Sequence, residues 1–262
     1  MNKGLLHNFP ALNLDQLHQR GYLRDRLDHK YVFPDDLLET VLMHCQKDYD
    51  ILEINGRRTF NYITIYFDTA DRSSFADHHR GKGRRLKLRY RHYVESNVQY
   101  LEIKWKTNKG RTHKERTAVP ESPEVFKLET YADHLRAHFG LEAGSFTPTL
   151  EVHYERITLL HRTQPEKLTI DRHLRFRHEQ DIASFERLAI AEVKTPRSST
   201  PLFHQIMRSL GIREGGMSKY CLGVIALYPD QKYNLFKQEY LRIQKINQPD
   251  GQPFRKHTAD LG

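Results

Sequence analysis

Within the stretch from Gly83 to Thr117, charged and mostly cationic side chains occupy every second position in each of three segments. A β-strand places alternate residues on opposite faces, so this spacing gives each strand one charged face and one apolar face. Lysine and arginine side chains on one shared surface favour a polyanion as partner. The alternating charged positions are Arg85, Lys87, Arg89 and Arg91 in a first segment, Glu102, Lys104 and Lys106 in a second, and Lys114 and Arg116 in a third.

The direction of these charged faces decides the function, and the residue pattern leaves it open. Pointing outward, they form a basic solvated surface that could bind nucleic acid. Pointing inward, they line a cationic tunnel, which has to stay wet, contain compensating carboxylates or hold a polyanion, because unpaired buried charges are costly. Glu102 and Glu192 supply part of that compensation. The apolar faces favour the inward direction slightly, because flanking helices can cover them.

The elements that must position these side chains are predicted to be mostly antiparallel strands. Further β-rich segments lie at 29–34, 149–160, 166–177 and 185–195, and two more flank an Asn-Gly turn at 55–56, which predicts a hairpin. Helices are predicted over about 35–45, 123–138, 201–211 and 216–228. Together these elements predict an α+β fold with a closed or strongly curved antiparallel β-barrel of about eight strands and flanking helices.

One domain over residues 26–228 is predicted, with an N-terminal arm at 1–25 and a basic C-terminal tail at 229–262. No apolar run reaches the roughly 18 residues of a spanning helix, and the N-terminus lacks the apolar core of a signal peptide. The two cysteines, Cys45 and Cys221, have no metal-ligand spacing and favour a reducing compartment. These features predict a cytoplasmic location.

The overall charge agrees with an anionic partner. Lys and Arg number 42 against 33 Asp and Glu, which gives a net charge of +9 and a pI of about 9.4.

The adjacent His78 and His79 favour a polar loop over a metal site, because neighbouring residues rarely chelate one ion from one element. The glycines at 81 and 83 lack the spacing of a phosphate-binding loop. Trp105 lies on the apolar face and favours a core position.

Six motifs, in order, resemble the VTC domain, the polyphosphate polymerase domain of the vacuolar transporter chaperone complex and its bacterial relatives. They are YFDT at 66–69, DHHRGK at 77–82, RLKLRYR at 85–91, LEIKWKTNKGRTHKER at 101–116, AEVKTP at 191–196 and LGIREGGMSKYCLG at 210–223. The resemblance covers roughly residues 26–228. It implies the triphosphate tunnel fold of the CYTH-like superfamily, in which the charged faces point inward.

The resemblance also implies a set of site residues, motif by motif. Nucleotide phosphates and polyphosphate would be bound by Lys30, Lys87, Arg89, Lys104, Lys114, Tyr154, Arg156, Ser218 and Lys219, with Lys106 and Lys194 added from the same charged faces. The catalytic set would be Lys87, Arg89, Lys104, Arg156 and Glu192. Glu192 would also hold Mn²⁺ or Mg²⁺. Lys167 and Asp171 are weaker candidates, and Ser218 could equally be the N-cap of the last helix. Gly216 stands where eukaryotic polymerases carry a lysine, which removes one tunnel cation.

The function implied by the resemblance is synthesis of inorganic polyphosphate from ATP with release of ADP. No nucleic acid partner and no membrane span are expected, although a membrane-bound partner subunit is compatible with the sequence. Two alternatives stay open: a tunnel-fold triphosphatase that hydrolyses inorganic or organic triphosphate, and a non-catalytic module that binds a polyanion or RNA. The sequence does not indicate the oligomeric state.

Overall fold

A curved, almost wholly antiparallel sheet organises the chain in the computed structural model, which describes residues 3–21, 26–106, 112–248 and 257–258. The strands are β1 (Ala11–Leu12), β2 (Arg26–Pro34), β3 (Tyr49–Leu52), β4 (Phe60–Asp68), β5 (Arg85–Tyr93), β6 (Val98–Lys106), β7 (Thr112–Val119), β8 (Thr147–His161), β9 (Lys167–His178), β10 (Asp181–Phe185), β11 (Leu188–Pro196) and β12 (His257–Thr258). The helices are α1 (Lys3–His7), α2 (Leu14–Arg20), α3 (Leu38–Cys45), α4 (Ser73–His79), α5 (Ala132–Phe139), α6 (Leu202–Ser209), α7 (Lys219–Leu227) and α8 (Lys237–Asn247). The predicted α+β fold with an antiparallel sheet is confirmed.

Eight strands form one continuous path in the order β2, β11, β9, β8, β4, β5, β6 and β7. The short strands β1, β3, β10 and β12 branch from this path. Near the two ends of the path, Asp28 and Lys30 of β2 interact electrostatically with Lys104 of β6, and Asp28 attracts this lysine. Among the described residues no ladder joins β2 to β7, so the sheet takes the open, curved form, one of the two forms that were predicted.

Helices α3, α5 and α6 cover one face of the path. A cluster that includes Leu88, Tyr90 and Ile103 packs against Leu135 of α5. A second cluster covers β2, β8, β9 and β11 with side chains of α3 and α6. We call the opposite side of the eight-strand path the concave face. The apolar faces are therefore covered by helices, and the charged faces lie on the concave side.

One end of the concave face is filled by α7, which packs against β8, β9 and β10. Gly223 makes this approach possible: a Cβ atom there would lie 2.5 Å from Cδ1 of Phe176 and 3.0 Å from Cδ2 of Leu150. Ser218 caps the helix, since its hydroxyl accepts a hydrogen bond from the backbone N–H of Cys221 at 3.2 Å. The N-terminus of α7 thus begins on the concave face.

Three local predictions were wrong. The strand β3 pairs with β8 and β1 instead of forming a hairpin with β4, and the Asn-Gly turn carries only an isolated bridge between Ile54 and Arg57. The predicted loop at 70–83 contains α4. The carboxylate of Asp68 accepts hydrogen bonds from backbone N–H groups in the first turn of this helix. The helix expected over 123–138 begins later, as a 3₁₀ turn at Leu128–Tyr131 followed by α5.

The two ends of the chain contribute to the core where they are described. Leu6 and Phe9 are buried in the cluster with α3, and Tyr240 and Ile243 of α8 are buried beside α7. The boundaries of the arm, domain and tail stay a prediction. Within the described part of the chain, no helix has the length and apolar character needed to cross a membrane.

Candidate functional site

Three lysines from neighbouring strands lie in one row across the concave face. The strand register places Lys87 of β5 opposite Lys104 of β6, and Lys104 opposite Lys114 of β7. The alternation in each strand therefore adds up to a single cationic surface. Lys87 also lies 5.8 Å from the ring centroid of Tyr66 on β4, which extends this surface to a fourth strand.

A buried carboxylate gathers the cations of β5 and β7 into what we call the Glu102 cluster, made of Glu102, Arg89, Arg91 and Lys114. Oε2 of Glu102 accepts from Nε of Arg89 at 2.7 Å and lies 3.6 Å from a terminal nitrogen of Arg91. Oε1 lies 2.6 Å from Nζ of Lys114. Burial alone would raise the pKa of Glu102, but the three cations outweigh it and hold the pKa well below its usual range.

A second carboxylate organises the Asp171 cluster, made of Asp171, Arg156 and Lys219. Arg156 binds Asp171 with Nε to Oδ1 at 2.5 Å and with a terminal nitrogen to Oδ2 at 2.7 Å. Lys219, at the start of α7, donates to Oδ2 of the same carboxylate. Burial opposes the charge of Asp171, yet Arg156 and Lys219 lower its pKa far below the usual range. The cluster joins β8, β9 and α7.

Two tyrosine rings lie between these clusters. Tyr62 stacks on Tyr154 with centroids 5.1 Å apart, and the guanidinium of Arg156 lies 5.0 Å from the Tyr62 centroid. The guanidinium of Arg91 lies 5.9 Å from the same ring, so both clusters contact Tyr62. The hydroxyl of Tyr154 is buried without a hydrogen-bond partner in the described residues. A buried hydroxyl left unpaired is costly, and a phosphate oxygen would supply its acceptor.

A third group surrounds Glu192 on β11. Oε2 of Glu192 lies 3.5 Å from Nζ of Lys30 on β2, and Lys194 donates to Oε1. The ammonium of Lys194 also lies 3.3 Å from Oδ1 of Asp28. The side chain of Glu192 is 29% exposed, compared with 1% for Glu102 and 3% for Asp171. Glu192 is therefore the carboxylate of the three best placed to meet a ligand.

The residues around Glu192 fit a divalent cation that arrives with a phosphate ligand. No group of three or more His, Cys, Asp or Glu side chains suited to a metal ion occurs in the described part of the chain. Mg²⁺ and similar hard ions at phosphate sites commonly take only one or two carboxylates and complete their shell with phosphate oxygens and water. One exposed carboxylate beside the cationic row meets that requirement.

Burial, together with the neighbouring cations, lowers the pKa of several lysines on this face. Burial, followed by the charge of Arg89, lowers the pKa of Lys87 to about 7. Burial and Arg156 lower that of Lys167 to about 8. The pKa values of Lys104 and Lys114 are lowered as well, again mainly by burial. An anion bound on this face would favour the charged form of each lysine.

We expect the affinity for inorganic tripolyphosphate to depend on pH through Lys87. With its pKa lowered to about 7, Lys87 is charged below that pH and loses its proton above it. Affinity should thus be highest below about pH 7 and fall by up to about tenfold per pH unit above it. Calorimetric titration from about pH 6 to pH 9 measures this slope. Lys87→Arg, which stays charged, should reduce the slope and leave the part due to Lys167 and Lys194, whose pKa values are lowered to about 8 and about 7. The exposed control Lys82→Arg should leave the slope unchanged, and parallel slopes in wild type and Lys87→Arg would contradict the assignment.

The structure brings most of the predicted site residues together. Lys167, a weaker candidate, belongs with them, because Arg156 and Lys114 both act on it. Lys106 lies opposite Arg85 at the end of β6 and has no ion-pair partner in the described residues. Ser218 acts as an N-cap, one of its two predicted roles. The concave-face residues are Lys30, Lys87, Arg89, Lys104, Lys106, Lys114, Tyr154, Arg156, Lys167, Asp171, Glu192, Lys194 and Lys219.

Sequence reasoning missed some members of the site. Arg91 and Tyr62 share the alternation of their strands, so the period-2 signal was present but unused. Asp28 was missed because β2 begins before the predicted strand.

Gly216 has a φ of 147°, and a Cβ there would lie 3.1 Å from Cγ2 of Val32. A lysine at 216 would therefore strain this backbone. Trp105 packs with His113 and Phe139 on the covered face, partly buried at the edge of the core cluster.

The comparisons with known proteins agree with this architecture. A family model described as the VTC domain matches residues 25–228. An adenylate cyclase candidate from Bacillus halodurans superposes with a TM-score of 0.50 at 12% identity, covering 75% of this chain and 95% of its own. An adenylyl cyclase candidate from Hippeastrum, with a dominant triphosphatase activity, gives a TM-score of 0.45 at 16% identity, covering 76% and 95%. No curated protein matches. The structural likeness shows the fold alone.

Proposed function

This chain belongs to the VTC domain family, and we propose that it is a metal-dependent polyphosphate polymerase that transfers the γ-phosphate of ATP to inorganic polyphosphate. The observation that carries the proposal is the convergence of three carboxylate-organised cation groups on one concave face. Phosphoryl transfer needs alignment of the reactants and neutralisation of charge more than covalent chemistry from the protein. The concave face supplies both.

In the proposed mechanism the triphosphate of ATP lies along the cationic row. Lys87 and Lys104 bind its oxygens as point charges, and Arg89 offers the N–H groups that Glu102 leaves free. Arg156 and Lys219 hold the end of the polyphosphate chain on the other side of Tyr62. Glu192 would hold Mn²⁺ or Mg²⁺, which neutralises phosphate charge when bound.

The chemical step needs no general base. A terminal oxygen of polyphosphate, already anionic, forms a bond to the γ-phosphorus, the bond between that phosphorus and the bridging oxygen breaks, and ADP leaves with the electron pair. The donors are positioned before the reaction, which is the condition for electrostatic stabilisation of the transition state. The lengthened chain stays on the cationic face for the next transfer.

A second candidate function is hydrolysis of a triphosphate at the same face. The absence of a ladder between β2 and β7 in the described part of the chain favours it, because an open sheet admits water to the partly exposed carboxylate of Glu192. Water would then replace polyphosphate as the nucleophile. The two functions share every binding residue and differ only in the acceptor.

Incubation of the purified protein with ATP and Mn²⁺ separates the two functions. We expect a product that migrates as long polyphosphate on a polyacrylamide gel and is degraded by an exopolyphosphatase, with ADP formed in proportion to the phosphate incorporated. A parallel reaction with EDTA should give no polymer. Release of free phosphate without any polymer would reject the polymerase and support the triphosphatase.

A further inference from the structure

Glu102 is almost fully buried on the concave face, and both of its oxygens are engaged. Oε1 is occupied by Lys114, and Oε2 by Arg89 and Arg91. The side chain is 1% exposed. It can neither reach a ligand nor accept a proton without dismantling these contacts, so a role in direct binding or in proton transfer does not fit.

We propose that Glu102 is a positioning residue that assembles Arg89, Arg91 and Lys114 into one anion receptor before the ligand arrives. The inference rests on the proposed function, in that the concave face is taken to bind a triphosphate. It assigns different roles to two carboxylates, which the proposed function does not do. Glu102 holds the cationic side chains in position, whereas Glu192 faces the ligand.

The placement of the cations supports this role. Lys114 is 42% exposed and Arg89 is 17% exposed, so both lie between the buried carboxylate and the open face. Arg89 donates from Nε and from one terminal nitrogen to Oε2 of Glu102, and its remaining N–H groups are available to a ligand. Three cations around one carboxylate leave a net positive charge. The receptor is thus ordered and still attracts an anion.

The charged state of Lys114 depends on the groups that face it from three strands. Glu102 of β6 favours the ammonium, while Arg89 and Arg91 of β5 oppose it. Lys114 and Lys167 of β9 also repel each other. Burial is the largest influence and lowers the pKa of Lys114, whereas Glu102 raises it and so favours the charged form.

Two substitutions separate the charge of Glu102 from its position. Glu102→Gln keeps the shape and removes the charge, and Glu102→Asp keeps the charge and withdraws the carboxylate. Glu115→Gln is the matched control, because Glu115 lies on β7 next to Lys114 and its carboxylate lies 3.9 Å from Nε2 of His134. The readout is the dissociation constant of inorganic tripolyphosphate without ATP, measured calorimetrically.

Glu102→Gln should lose affinity mainly at high pH, because Lys114 deprotonates earlier. The ratio of the dissociation constants at about pH 8.5 and pH 6.5 should be at least about fivefold larger than in wild type. Glu102→Asp should bind about 3- to 10-fold more weakly at both pH values, with the wild-type ratio. Glu115→Gln should match wild type.

A wild-type ratio in Glu102→Gln, or unchanged affinity in Glu102→Asp, would overturn the inference. If Glu102→Gln fails to fold, Glu102→Asp decides alone: uniform weakening supports the role and unchanged affinity rejects it. Wild-type protein that binds tripolyphosphate but makes no polymer would reject the proposed polymerase and leave the inference standing. Wild-type protein that does not bind tripolyphosphate would overturn the inference itself.

Discussion

Glu192→Gln is expected to lower phosphoryl transfer by about 10²- to 10³-fold while the affinity for tripolyphosphate stays within about threefold. A bound metal ion contributes several kcal/mol to stabilising charge in a transition state, and each 1.4 kcal/mol corresponds to a factor of about ten. Glutamine keeps the size of the side chain but is a poor ligand for a hard cation. The loss should therefore fall on turnover.

The surroundings of Glu192 explain why binding should survive. Its carboxylate offsets the charges of Lys30 and Lys194, and its removal leaves the ammonium of Lys30 available to phosphate, while Lys194 keeps Asp28 as a partner. Steady-state turnover and calorimetric binding of metal-free tripolyphosphate give the two quantities separately. Glu155→Gln serves as control, since Glu155 lies at 3.8 Å from Arg172 and is partly buried. Equal losses of turnover and binding, or undiminished turnover, would contradict the role of Glu192.

The alternation of charged and apolar residues was enough to predict the faces of β5, β6 and β7. The register that joins Lys87, Lys104 and Lys114 follows from it, because consecutive antiparallel strands keep their faces aligned. The direction of the charged face did not follow from periodicity. It depends on which side the helices cover, and α5 is separated in sequence from the strands whose apolar side it packs against.

Non-local pairing accounts for what the sequence could not predict. Strand β3 pairs with β8, from which it is separated by more than a hundred residues in sequence, so no local turn motif predicts this pairing. Helix α4 lacks an apolar stripe of its own and is held by the carboxylate of Asp68 and by contacts of His78 and His79 with Cys221 and Leu235. The sequence showed Glu102 among cations, but its burial arises only when three strands align.

The largest effect on stability is expected at Asp171, whose replacement by alanine should destabilise the fold by about 3–5 kcal/mol. Its side chain is 3% exposed, and its partners Arg156 and Lys219 are 19% and 14% exposed. Removing the carboxylate leaves two cations in a largely buried position without compensation. Urea denaturation at neutral pH measures the difference. Glu151→Gln is the control, because its partners are more exposed and its loss should cost less than about 1 kcal/mol.

The dependence of this effect on pH provides an independent check. The pKa of Asp171 is lowered in the folded protein, so its stabilisation is present above the unfolded pKa of about 4 and is lost as the pH falls towards the folded value. The stability of Asp171→Ala and wild type should therefore differ by a constant amount between about pH 5 and pH 8 and converge in acid. A difference that persists unchanged at low pH would show that packing, and not charge, explains the loss.

Replacing Arg156, Asp171 and Lys219 together with apolar residues of similar size should restore stability, because a buried ion network gives little net stability over apolar packing. The same triple variant should fail to bind tripolyphosphate, which would place the benefit of the Asp171 cluster in binding.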